Sequence, residues 1–285
     1  MIDLLVHAGL LGGLYALFAL GQSILFGVMR LTNTAHGDFA VLGAFGAVGA
    51  TSLAPGHRAG AALLVLPLAF ALGYAIQRWL LNRTVGRDPM PSLVVTFGLS
   101  VVIQNGLLAG FSADPRSLEA PGLGTWSFSV GGVDVGVVPL VIFALALACT
   151  ALLQALFDHT RLGRAFRAVS DDREIAELMG LDSRKTFAMA TGIAFVVVAL
   201  AGVLQAVRTT VGPTDGPMLL LFAFEAVIIG GMGSMWGTFL GAMVLGLAQQ
   251  VGFRVDPGWG IWFGHLVFLA VLAVRPQGLL PATRG

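Results

Sequence analysis

The sequence predicts an all-α polytopic membrane protein, one bundle of about eight to ten spans with some of them short or broken. Of its 285 residues, 56% are hydrophobic and only 11% are charged, against roughly one quarter charged in an average soluble domain. Mean hydropathy is +0.87. The apolar residues gather into runs at 4–29, 38–53, 60–81, 91–111, 135–157, 186–207, 218–232, 235–252 and 259–274, separated by segments rich in Gly, Pro and charge. A helical span needs about 20 apolar residues to cross a hydrocarbon layer of about 30 Å. The length therefore holds a single transmembrane domain, 1–285, and no second, soluble one.

The first run is too long for a signal-peptide core and no Lys or Arg precedes it, so it reads as a retained span. Runs 38–53 and 218–232 are short, the pattern of broken or re-entrant helices, whose freed backbone groups must be buried in protein or line a wet cavity. Between the first two runs, "RLTNTAHGDF" (30–39) places Asn33, Thr34, His36 and Asp38 at a helix-to-helix junction. Gly37 suits a bend there and Asp38 a helix N-terminus; the other reading is a polar cluster that lines or gates an exit. In the fourth run Thr96, Ser100 and Gln104 recur at i, i+4 and i+8 on one helical face. They line a pathway, or they make interhelical hydrogen bonds worth about 0.6 kcal/mol each. Cys149 is the one cysteine and sits in an apolar run, so it forms no intrachain disulfide.

Glu225 is the costliest residue, because an unpaired carboxylate in the membrane costs ~2.5–3.5 kcal/mol even on a lenient scale. It is expected to face the interior, either with Arg208, at the end of the preceding helix, as its counterion or as a candidate pathway or gate residue that contacts the solute. Gly233, Gly237 and Gly241 form a repeated G-x-x-x-G that lets another helix approach closely. The histidines, His265 in the last run included, have no third ligand at a useful spacing, so no metal is expected.

Residues 160–187 carry eleven Asp, Glu, Lys and Arg in twenty-eight positions. Asp171 followed by Glu174 reads as a capping box, and Gly180 with Leu181 as a Schellman stop, which together predict a helix over 172–179. Ile175, Leu178 and Met179 share one face while Arg173, Glu174 and Glu177 fall on the other. Such an apolar stripe needs cover from the bilayer, from the protein's own bundle or from a groove on a cytosolic partner. The positive-inside rule places 160–185 in the cytoplasm together with Arg30, Arg78, Arg83, Arg87, Arg275 and Arg284, and leaves Arg58, Arg116, Arg208 and Arg254 outside. The N-terminus is then outside and the C-terminus cytoplasmic.

"EIAELMG" (174–180) resembles the EAA-x3-G pattern of ABC importer permeases, with Ile175 in place of the second residue. Further matches follow in order: "GLYALFALGQSILFGVMRLTNTAHGDFAVLGA" (13–44), "LVVTFGLSVVIQN" (93–105), "GRAFRAVSDDREIAELMGLD" (163–182), "VIIGGMGSMWGTFLGAMVLG" (227–246) and "RPQGLL" (275–280). Together they resemble the permeases of branched-chain amino acid ABC importers, the shorter of the two membrane subunits. The resemblance implies a type II importer-like bundle in a bacterial inner membrane, with no bound cofactor of its own. It implies a second homologous permease, two cytosolic ATPases that bind the ATP, an extracytoplasmic solute-binding protein, and no nucleic acid. Glu174, Ile175, Ala176, Leu178, Met179 and Gly180 would form the coupling helix. Permeases of this kind also serve urea, amides and small organic acids, so the solute stays open. The sequence agrees that the motor lies elsewhere: its one lysine, Lys185, follows Arg184 and not the Gly of a P-loop. A stand-alone secondary transporter leaves the amphipathic helix unexplained, and a membrane enzyme lacks a nucleophile, base and orienting group.

Overall fold

The computed structural model describes residues 1–54, 57–85, 88, 90–119, 126–130 and 132–280. Every apolar run forms a helix: α1 (Ile2–Met29), α2 (His36–Leu53), α3 (Arg58–Leu63) with α4 (Val65–Ala75), α5 (Met90–Phe111), α6 (Val137–His159), α9 (Ser183–Arg208), α10 (Gly216–Gly230), α11 (Met235–Val255) and α12 (Gly260–Val274). Between α6 and α9 lie α7 (Arg161–Asp171) and α8 (Arg173–Leu178). Among the described residues, six helices are long and apolar enough to cross a membrane, counting Gly60–Arg83, which runs from α3 through α4 and its continuation, as one. α10 and α12 are shorter, at 15 residues each. The protein is therefore an all-α, multi-span membrane bundle.

α1 and α9 form its centre. About two-thirds of each one's apolar window is buried (67%), against 17% for α5 and 22% for α6, which turn most of their surface outward. That is how a bundle in lipid divides its helices: apolar side chains satisfy both locations, so burial follows packing and not hydropathy. α1 packs on α9, α10 and α11, and α9 packs on α2 and α4.

The two short runs begin inside the bundle. His36, the first residue of α2, reaches the carbonyl of Phe18 with Nε2 at 2.9 Å, eleven residues before the end of α1 and so about 16 Å back along its axis. Residues 30–35 thus double back into the protein. α10 starts beside them, since a Cβ on Gly37 would fall 1.9 Å from the carbonyl oxygen of Gly216. The N-termini of these two helices, of 18 and 15 residues, abut inside the bundle.

The bundle has a strongly basic end. Ser170 Oγ donates to the carbonyl of Gly27 at 2.8 Å, Asn82 Nδ2 to that of Arg184 at 3.0 Å, and Leu280 N to that of Gly230 at 2.9 Å. These contacts gather Arg30, Arg78, Arg83, the basic residues of 160–185 and Arg275 on one face. At the opposite end Arg254 meets Asp3 at 2.9 Å and Arg116 pairs with Val211. Arg87, Arg284 and the side chain of Arg58 lie outside the described residues. A hairpin that the sequence reading missed, β1 (Ser127–Val130) and β2 (Val133–Gly136), also sits at this far end. Its Val133 and Val135 are buried on Leu10 of α1.

Candidate functional site

The charged segment is two helices, not one helix in a loop. Thr160 caps α7 by accepting the Gly163 N–H at 3.1 Å. α7 then buries Phe166 and Val169 against a cluster that includes Leu20, Ile24 and Phe187. Because α7 runs through Asp171, the cap of α8 falls one residue later than expected: Asp172 accepts the Ile175 N–H at 2.9 Å. The stop is the Schellman motif. Gly180 adopts φ +88°, Leu181 N donates to the carbonyl of Ala176 at 3.0 Å, and Gly180 N donates to that of Glu177 at 3.0 Å. A residue with a Cβ would be strained at Gly180.

α8 is seated by Ala176, which is 4% exposed, and presents Ile175 at 60%, Leu178 at 86% and Met179 at 80%. Ala176 therefore belongs to the seat and not to the exposed stripe. On the other face the Ser183 hydroxyl and the Arg173 guanidinium, whose Nε stands 3.0 Å from Glu177, hold the Glu177 carboxyl below its usual range. With the folded pKa depressed, this tie between α8 and α9 holds above the unfolded value and is lost as pH falls through the folded one.

A second set of residues meets where α2 begins. Asn33 Oδ1 accepts the Ala35 N–H at 3.0 Å, and the Thr34 and Thr96 hydroxyls are 2.9 Å apart. Gln104 Nε2 donates to Asp38 Oδ1 at 2.9 Å and to Ser100 Oγ at 3.1 Å. The polar stripe of α5 is thus turned onto residues 34–38, and its groups serve as interhelical hydrogen bonds in this conformation. Asn33 Nδ2, His36 Nδ1 and Asp38 Oδ2 are buried without a hydrogen-bond partner.

Glu225 faces the interior, 1% exposed, as expected, but its partner is His265 of α12 and not Arg208. Arg208 ends α9, whereas Glu225 lies nine residues into α10, about 13 Å beyond its start. His265 is thus not the isolated residue that its position in the last run suggested. The signal was present: an acid and a base, each alone in a separate apolar run, are candidates for one another. Nearby, the Tyr15 hydroxyl donates to Gln249 Oε1 at 2.6 Å, and its ring packs tilted against Phe222 with centroids 4.9 Å apart. Removing one partner of the Glu225–His265 pair leaves the other without its hydrogen bond, and for the buried Glu225 that costs at least ~1–3 kcal/mol. Glu225→Gln and His265→Gln should therefore each lower unfolding stability in detergent, and the double variant should lose clearly less than the two losses added. Additive losses would rule out the pair.

The glycine stripe packs within this chain. A Cβ on Gly237 would lie 2.5 Å from the carbonyl of Gly230, and one on Gly241 2.2 Å from that of Ala226. Gly233 is not part of the stripe; it stands in the turn between α10 and α11 at φ +80°. Among the described residues no group of three His, Cys, Asp or Glu is placed to hold a metal.

A bundle in which α2 and α10 start inside the protein, with a polar joint where they meet and an exposed amphipathic helix at its basic end, has the features of a transport subunit. The family model for the permease component of branched-chain amino acid transport systems matches residues 5–274, and the chain belongs to that family. It is 29% identical over 293 residues to the high-affinity branched-chain amino acid transport permease BraD of Pseudomonas aeruginosa, covering 97% of this chain and 94% of the relative. It is 26% identical to LivH of Escherichia coli K12, covering 95% and 92%. To LivM of the same organism it is also 26% identical, covering 95% of this chain and 68% of the relative. This is a non-catalytic permease subunit of the ABC importer class, a family that works with paired permeases, ATPases and solute-binding proteins.

Proposed function

We propose that this chain forms part of the path by which branched-chain or similar hydrophobic amino acids enter the cytoplasm, driven by ATP hydrolysed on separate subunits. The observation that carries the coupling role is α8. A two-turn helix, fixed at both ends and seated by Ala176, shows Ile175, Leu178 and Met179 to solvent at 60%, 86% and 80% exposure. An apolar stripe so displayed on a highly charged segment suits a groove on an ATPase. The basic end is then cytoplasmic, the N-terminus outside and the C-terminus inside. The similarity of this chain to both LivH and LivM, two permeases of one organism, supports a second homologous permease as its partner. An extracytoplasmic solute-binding protein would deliver the solute at the end that carries the hairpin.

Asn33, His36, Asp38, Thr96, Ser100 and Gln104 are read as a joint that opens and closes the path, and Glu225 as a buried tie between α10 and α12. The test is leucine uptake into proteoliposomes holding the complete importer: uptake should require internal ATP and the binding protein. Uptake without either would leave a secondary transporter as the reading. Orientation is checked separately in a Cys149→Ala background. An impermeant thiol reagent applied to intact cells should label Ser112→Cys and spare Arg164→Cys; labelling at position 164 would invert the topology.

A further inference from the structure

Resting on the reading of α8 as the ATPase contact, we propose that Gln77 is the positioning residue that transmits movement of α8 and α9 to a polar cytoplasmic gate formed by Asn33, Thr96 and Thr191. The chain of contacts is continuous. Behind α8, Asp182 caps α9 by accepting the Lys185 N–H at 3.0 Å, and it stands 3.6 Å from Arg78. Asn82 Nδ2 donates to the carbonyl of Arg184 at 3.0 Å. Gln77 Nε2 donates to Asn82 Oδ1 at 3.1 Å, while its Oε1 accepts from the Thr191 hydroxyl at 2.9 Å. Two turns of α9 are thereby lashed to one side chain.

That side chain lies on an irregular stretch. α4 does not end as an α-helix: it passes through a π turn, Ile76–Leu80, and a 3-10 turn, Leu81–Arg83. A π turn inserts a residue into the helical ladder and recurs at functional positions. It costs hydrogen-bond geometry, and here what it accomplishes is to bring Gln77, 0% exposed, inward between α9 and the segment that doubles back before α2. Gln77 then lines a cavity of about 10 Å³ with Asn33, Thr96 and Thr191 and, beside them, Leu25, Leu31 and Leu81, about one water in size. Asn33 Nδ2 is buried there without a partner. Of the groups around this gap, Gln77, Asn33, Thr96 and Thr191 can each be satisfied by water as it opens, so the hydrogen-bonding part of the contact separates at low cost.

The test uses the assembled complex in inside-out vesicles, with Thr32→Cys as reporter in a Cys149→Ala background. Thr32 lines the cavity. In the parent, ATP should change the rate of labelling at position 32 by at least fivefold. In Thr191→Val, which keeps the shape and removes the hydroxyl, the change should fall below twofold while ATP hydrolysis per complex stays within twofold of the parent. Thr191→Ser should restore the response. Gln77→Leu should behave as Thr191→Val does, and Gln77→Glu, which keeps the acceptor for Thr191, should retain most of the response. A Thr191→Val complex with the parent's nucleotide response, a Thr191→Ser complex without it, or a parent with no response at position 32 would each overturn the assignment. None of these readouts depends on the solute. Failure of the coupling reading itself would show differently, as ATPases that do not bind the permease in the parent.

Discussion

Leu178→Asp is expected to abolish ATP-coupled uptake while the permease still inserts and pairs with its partner. Leu178 is 86% exposed and lies outside the spanning helices, so a carboxylate there costs this chain's own fold almost nothing. In an apolar groove on an ATPase it costs a great deal. Fully burying two side chains of the size of Ile175 and Leu178 is worth ~3–6 kcal/mol, and a loss of ~3 kcal/mol weakens recruitment roughly 100-fold. Co-purification of the ATPase and uptake should fail together. Ala176→Asp makes the contrast: Ala176 is 4% exposed, so a charge there unseats α8 and should lower the stability of the permease itself. Gly180→Val should act more mildly, since forcing an L side chain into the left-handed region costs ~1–2 kcal/mol. Complexes of Leu178→Asp that retain their ATPases and transport normally would reduce α8 to a surface feature.

Much of this was legible in the sequence because membrane helices announce themselves by run length. Each run became a helix, and the two read as short or broken, 38–53 and 218–232, became the helices that start inside the bundle. The Schellman stop at Gly180 and Leu181 was legible because a glycine before an apolar residue encodes its own geometry. The cap was misread by one residue because Asp171 and Asp172 are both capable N-caps; α7, which ends on Asp171, decides between them. α7 was legible but unread: Leu162, Phe166 and Val169 recur at i, i+4 and i+7 among charged residues, the pattern of an amphipathic helix. Gln77 and His265 were missed for one reason. A polar residue within an apolar run declares that it needs a partner but not which one, and Glu225 found its partner forty positions away across two helices.

Gly37→Ala is expected to prevent α2 and α10 from meeting, a large effect for a single methyl group. Its Cβ would stand 1.9 Å from the carbonyl oxygen of Gly216 and 2.7 Å from the amide nitrogen of Leu220. Both are backbone atoms, so no rotamer change relieves the clash and the helices must part. Gly216→Ala acts from the other side, where a Cβ would fall 2.0 Å from Asp38 Oδ1. That close approach has an electrostatic purpose. Two helix N-termini, each carrying about half a positive charge, face one another here, and the carboxylate of Asp38 sits in the first turn of α2 and against the first residue of α10. Separating the helices removes that compensation and strains the bonds from Gln104 to Asp38 and from His36 to Phe18. Overpacking alone costs ~1–3 kcal/mol, and a buried carboxylate that loses its hydrogen bond adds a comparable amount. By the scaling of ~2–4 °C per kcal/mol for chains of similar size, Gly37→Ala should lower the melting temperature in detergent by about 5 °C or more. Gly46→Ala, on the same helix, would place its Cβ 3.6 Å from Val65, an ordinary contact, and should melt with the parent. If Gly37→Ala and Gly46→Ala are equally stable, the N-termini of α2 and α10 do not abut, and Asp38 has another task.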